Sequence, residues 1–187
     1  MHKPILLAAL LLAGAPAAPA LTAPLHAPGV TTAVVDRVDD LIAEGRDLLA
    51  KNRHDDAKER FDEAAALPGG EDRAVIWQLR VAMHLESLND VLGRIDALSD
   101  ERDDAGIDYL YGMAFAVKAQ QALDAGLNDG TIGMQMTDSQ AFLERAVAAE
   151  GARYPDAYVM LSHVAYMNSD FDTALSAADK AVGHFPK

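Results

Sequence analysis

Between Leu41 and Pro68 the apolar residues fall in two short sets. Leu41, Gly45 and Leu48 lie four and three residues apart, and so do Ala57, Phe61 and Ala64. That spacing puts side chains on one face of a helix. The polar stretch Asn52-Arg53-His54-Asp55-Asp56 separates the sets, and Pro68-Gly69-Gly70 ends the second. The pattern predicts two antiparallel helices with their apolar faces turned together. A shift of 34 residues carries Leu41, Ala57, Phe61 and Ala64 onto Val75, Val91, Ile95 and Leu98, which are again apolar. The hairpin therefore repeats.

Taken in order, the pattern predicts hairpins over about 31–68, 71–98, 107–150 and 155–185. Thr31 or Thr32 can cap the first helix. Leu79 stands in the second unit where Gly45 stands in the first, which argues against an equally close helix approach there. Ser99 to Asp104 reads as a solvated acidic turn. Gly126 to Gly133, with its asparagine, aspartate and three glycines, predicts a loop inserted over about 125–137, with the second helix resuming near Asp138. Such a loop reads either as a binding loop or as a tolerated surface insertion. In the last unit Tyr158, Leu161 and Ala165 line one helix and Ala174, Ala178 and Ala181 the next.

Helix–turn–helix units with a period of about 34 residues, a small residue in the first helix, Ala-x3-Phe in the second and a closing proline characterise the tetratricopeptide repeat. Gly45, Ala57, Phe61 and Pro68 match that pattern. Tyr158, Leu161, Ser162, Ala174, Ala178, Ala181 and Pro186 match it in the last unit. The chain thus resembles a tetratricopeptide repeat protein over residues 35–187. The resemblance implies an all-α, right-handed solenoid of about seven or eight helices with a concave groove. A polar capping helix is expected after the last repeat of such an array. None follows Pro186-Lys187, so either the acidic outer face suffices or this end packs on another molecule.

Residues 1–20 look like an export signal. Lys3 precedes a nine-residue apolar run, Ile5 to Ala13, and Ala-x-Ala cleavage sites follow at Ala15–Ala17 and Ala18–Ala20. The run falls short of the roughly 20 residues that span a bilayer. The expectation is a protein of the bacterial cell envelope, periplasmic or secreted, without stable membrane insertion after cleavage; an uncleaved anchor is the alternative. Pro24 and Pro28 make 21–30 a linker. The chain has no cysteine, which excludes disulfides and thiolate metal sites. Its net charge of −13 opposes nucleic acid and anionic lipid. The acidity serves solubility or attracts a cationic partner.

No catalytic, cofactor or metal residues are assigned. The six histidines include no pair at helical ligand spacing, and no Gly-x-Ser-x-Gly or phosphate-loop signature is present. What remains is the groove. In the resembled family the first helix of each hairpin lines the concave face, and the residue after the small position points into it. That implies Arg46, Arg80, Met113 and His163. Leu49, Met83 and Tyr166 follow one turn on, with His84 and Met167 beside them, and Tyr109 lies one turn earlier. Two readings of the arginines stand. They pair with carboxylates of a bound peptide, or they neutralise Asp39 or Glu44 and Asp72 or Glu71. The expected function is a non-enzymatic scaffold that binds a protein or peptide partner. The alternative is a self-assembling module, a homo-oligomer formed through the C-terminal hairpin. An enzyme or small-ligand binder is the third.

Overall fold

The computed structural model describes residues 28–127 and 130–184, and side chains from residue 32 onward. The expected export signal lies outside the described residues. Eight helices follow one another: α1 (Pro28–Ala50), α2 (His54–Ala66), α3 (Glu71–Leu85), α4 (Leu88–Ser99), α5 (Ala105–Asp124), α6 (Gly130–Glu150), α7 (Pro155–Met167) and α8 (Phe171–His184). Among the described residues there is no strand, so the fold is all-α. α1 begins at Pro28, inside the stretch expected to be linker. Proline suits a first helical turn, where its missing N–H has no partner to lose.

Backbone proximity is confined to consecutive helices and to the alternate pairs α1–α3, α3–α5 and α5–α7. α5 is the centre of this arrangement. Ile107, Tyr109, Leu110, Met113, Ala114, Ala116 and Ala119 are buried on several of its faces, as expected of a helix covered on more than one side.

Small residues set how closely each hairpin closes. A Cβ on Gly45 would lie 2.4 Å from the ring of Phe61, and one on Gly112 would lie 2.6 Å from Leu143. Phe61 and Leu143 are fully buried. In α6 the buried Ser139 donates to the carbonyl of Gly112 at 2.7 Å, which the same close approach allows. The second hairpin carries Leu79 instead. There α3 and α4 make the sparsest contact of the four hairpins, and a hollow of about 370 Å³ opens beside Leu79, Ala82 and Leu98.

Three odd-numbered helices end alike. Asn52, Gly126 and Ser169 adopt φ of 56°, 75° and 63°. The N–H of the following residue reaches back to the carbonyl of Leu48, Ala122 or Ala165. This is the left-handed closure that satisfies the last carbonyls of a helix. α3 lacks it and ends in extended backbone at Glu86.

Two expectations are corrected. The segment 125–137 is not a long loop, because α6 starts at Gly130. Ile132, Met136, Ser139, Leu143 and Ala146 form one continuous buried stripe, while a Cβ on Gly130 or Gly133 would meet nothing within 4 Å. The glycines lie where the helix needs no side chain. The acidic turn before α5 is also more than solvated: Asp104 accepts from the N–H groups of Gly106 and Ile107, capping the helix, and Arg102 pairs with it. Asp39 and Arg73, 34 residues apart, pair between α1 and α3.

The close approach predicts opposite outcomes for two glycine substitutions. Gly45→Ala should cost about 1–3 kcal/mol by overpacking against Phe61. Gly93→Ala, inside α4 with open space around it, should gain about 0.5–1 kcal/mol. Chemical denaturation of the two variants measures both; equal effects would contradict the account of the hairpin.

Candidate functional site

α1, α3 and α7 surround a cavity of about 290 Å³. α3 and α7 are not neighbours by backbone, so only long side chains close the space between them. Trp77 of α3 supplies the apolar wall. It is 3% exposed and packs against Phe61, Tyr109 and Tyr154 with ring centroids 6.1, 5.8 and 5.7 Å away. Arg46 of α1 follows Gly45 directly. Its guanidinium lies 4.9 Å from the centre of the Trp77 ring, within reach of cation–π attraction. Among the described residues Arg46 has no carboxylate within ion-pair distance.

Arg80, one turn beyond Trp77, is 9% exposed. Its Nε lies 3.4 Å from Asp156 Oδ2. Tyr109 donates its hydroxyl to the same Oδ2 at 2.7 Å. Asp156 follows Pro155 in the first turn of α7, where the helix dipole favours an acid. Burial, then the neighbouring Asp156 charge, raises Tyr109 well above the usual tyrosine value, so its hydroxyl stays a donor. Arg80 Nε and Asp156 Oδ1 are shielded from solvent yet have no hydrogen-bond partner. Buried polar atoms in that state are uncommon.

The other end of the Arg80 guanidinium lies 2.6 Å from His84 Nε2. Since Arg80 can only donate, that nitrogen must accept, and His84 is neutral with its proton on Nδ1. Partial burial, then the charge of Arg80, then His54, lower the His84 pKa to about 4. The ring of His54 stacks on His84 at 4.1 Å.

The ten groove residues expected from the sequence divide into three groups. Arg46, Leu49 and Arg80 line the cavity, and His84 adjoins it through Arg80. Met83, Tyr109 and Met113 are buried at 4%, 0% and 1% exposure. They belong to the core: Met83 lies on a buried face of α3, and Tyr109 and Met113 lie on α5, which is covered by its neighbours; Tyr109 reaches the site only through its hydroxyl. His163, Tyr166 and Met167 are exposed on α7, and His163 and Tyr166 line a different surface, facing Phe171 and Leu175 of α8. Neither arginine pairs with the acids proposed to neutralise it: Asp39 binds Arg73, Glu44 lies 3.7 Å from Arg37, and Arg80 faces Asp156. Sequence reasoning missed Asp156 and the role of Trp77. Trp77 was legible as an apolar position. Asp156 carried only the signal of an acid behind a helix-starting proline.

Among the described residues no group of three or more His, Asp or Glu side chains could hold a metal ion, and no helix is long and apolar enough to cross a membrane. The chain matches no family model, no curated protein and no solved structure.

Two predictions follow from the buried charges. Asp156→Asn leaves Arg80 without a counter-charge and should destabilise the fold by about 3 kcal/mol or more, whereas pairing it with Arg80→Met should restore most of that loss. Urea melts of the single and double variants decide this. Between pH about 6.5 and about 4 the unfolded chain binds a proton at His84 that the folded chain refuses, so stability falls as pH falls through that window. From pH 7 to pH 5 the native chain should therefore lose on the order of 1 kcal/mol more than His84→Gln, after allowance for solvent screening of a partly exposed ring. Parallel melts of the two proteins would contradict this.

Proposed function

We propose that the protein is a non-enzymatic interaction module of tetratricopeptide-repeat type. Its hairpins stack as a right-handed solenoid, and it holds a peptide segment of a partner protein in the hollow between α1, α3 and α7. The observation that carries this reading is the content of that hollow. Arg46 overlies Trp77 with no carboxylate partner, and below it Arg80 and Asp156 each keep one unpartnered polar atom. A peptide side-chain carboxylate would give the Arg46 guanidinium the ion-pair partner it lacks. Arginine and tryptophan are also the side chains most often found as anchors of protein interfaces.

The site is poorly suited to catalysis. Arg80 and Asp156 neutralise each other, Tyr109 is held protonated, and the remaining carboxylate of the lining, Asp47, is exposed to solvent. The apolar run and Ala-x-Ala sites of residues 1–20 support export to the periplasm or beyond. The partner is thus a protein or peptide of the cell envelope.

Selection of displayed random peptides on the full chain tests the proposal. The expected winners carry Asp or Glu, and Arg46→Glu should weaken them at least about tenfold, the loss of one charge-assisted contact. Winners without acid preference, or equal binding to Arg46→Glu, would overturn it.

A further inference from the structure

α7 and α8 leave one face uncovered among the described residues. Val159 and Tyr166 on α7, and Phe171, Leu175 and Val182 on α8, are 52%, 62%, 61%, 66% and 71% exposed. On α8 these positions are spaced by four and seven residues, one face of a helix. Their placement is a product of the fold. Leu161, Val164 and Ala165 of α7 and Ala174, Ala177 and Ala181 of α8 turn inward, and the larger apolar residues are left outside.

Size argues that this face is an interface. Tyr166 and Phe171 alone, each carrying on the order of 150–250 Å² and each about three-fifths exposed, leave roughly 200–300 Å² uncovered. With Val159, Leu175 and Val182 the face reaches the few hundred Å² that mark an interaction site on a soluble protein. The two rings meet edge to face at 5.8 Å across the α7–α8 turn, so the centre of the face is already ordered.

Charge selects the occupant. The chain carries 29 acids against 16 lysines and arginines, yet no Asp, Glu, Lys or Arg lines the shallow groove between Val159, Tyr166, Phe171 and Leu175; the exposed Asp179 borders it on the side of Val182. A cationic partner, which the rest of the surface would attract, gains nothing here. Two copies of an acidic chain repel each other over most of their surface. They can meet without opposing carboxylates where the contact patch itself is uncharged, and a two-fold contact sets the same patch against itself.

We propose that this face binds a second copy of the chain, forming a symmetric dimer in which Tyr166, Phe171 and Leu175 of each copy pack against those of the other. The area per copy is below the roughly 800 Å² of a standard interface, so the dimer is weak and concentration-dependent. The proposal rests on α7 and α8 alone and is independent of the hollow at Arg46.

Sedimentation equilibrium of the full chain over roughly 1–500 µM, the range in which a small interface is populated, tests it. A monomer–dimer equilibrium is expected. Leu175→Glu and Leu175→Lys should each raise its dissociation constant at least about tenfold, since either charge would be buried against an apolar face. Leu175 is exposed in the monomer, so helix content should not change with either substitution, and Arg46→Glu should leave the equilibrium as it is. The chain has no cysteine of its own, so Leu175→Cys with a short bis-maleimide should give a covalent dimer, and Asn52→Cys, on the α1–α2 turn, should not. A strict monomer across the range, association that survives both Leu175 charges, or cross-linking that favours Asn52→Cys would overturn the proposal.

Discussion

Three buried rings hold the molecule together. Trp77 of α3, Tyr109 of α5 and Tyr154 just before α7 lie within 4.5–5.8 Å of one another, and Phe61 of α2 joins Trp77 from the other side. Each helix hairpin leaves an apolar face that it cannot cover alone. The rings fill the space where these faces meet, and they do so between α3 and α7, whose backbones are not in contact. Burying side chains of this size contributes on the order of 1.5–3 kcal/mol each and more through ring–ring geometry. The first two hairpins and the last two therefore share one core.

The polar network follows from that packing. With its ring locked between Trp77 and Tyr154, Tyr109 cannot turn its hydroxyl to water, and Asp156 receives it. Asp156 is thereby fixed beside Arg80, which in turn fixes the tautomer of His84. A buried ion pair is weak evidence of stability, because desolvation offsets much of the attraction. Here it is also imperfectly bonded, at 3.4 Å with one atom of each partner unsatisfied. An apolar pair of similar size would hold the helices at lower cost.

Much of the architecture was legible because it rests on short-range rules. The spacing around Gly45 and Phe61 and its recurrence after 34 residues located the hairpins, and Leu79 in place of glycine correctly marked the hairpin that closes least. The start of α6 was misread because Gly130 and Gly133 resemble loop breakers; their harmlessness depends on facing solvent, which only the stripe from Ile132 to Ala146 reveals. The site was half legible. Arg46 and Arg80 came from the resemblance to the tetratricopeptide repeat, and both line the hollow. Asp156 and the outward turn of His163 and Tyr166 depend on how α7 docks after the lengthened α5–α6 hairpin, and no spacing within the last unit encodes that. Met113 and Tyr109 were placed on a groove because the family pattern assumes an open inner face, whereas α5 here is covered.

The chain contains a single tryptophan, and it sits at the junction. Unfolding followed in parallel by Trp77 fluorescence and by far-ultraviolet circular dichroism therefore compares the junction with the helices as a whole. One core joined through the three rings requires the two transitions to coincide in midpoint and steepness. A fluorescence transition completed while most helix signal remains would mean that the hairpins stand without the junction, and would contradict the account.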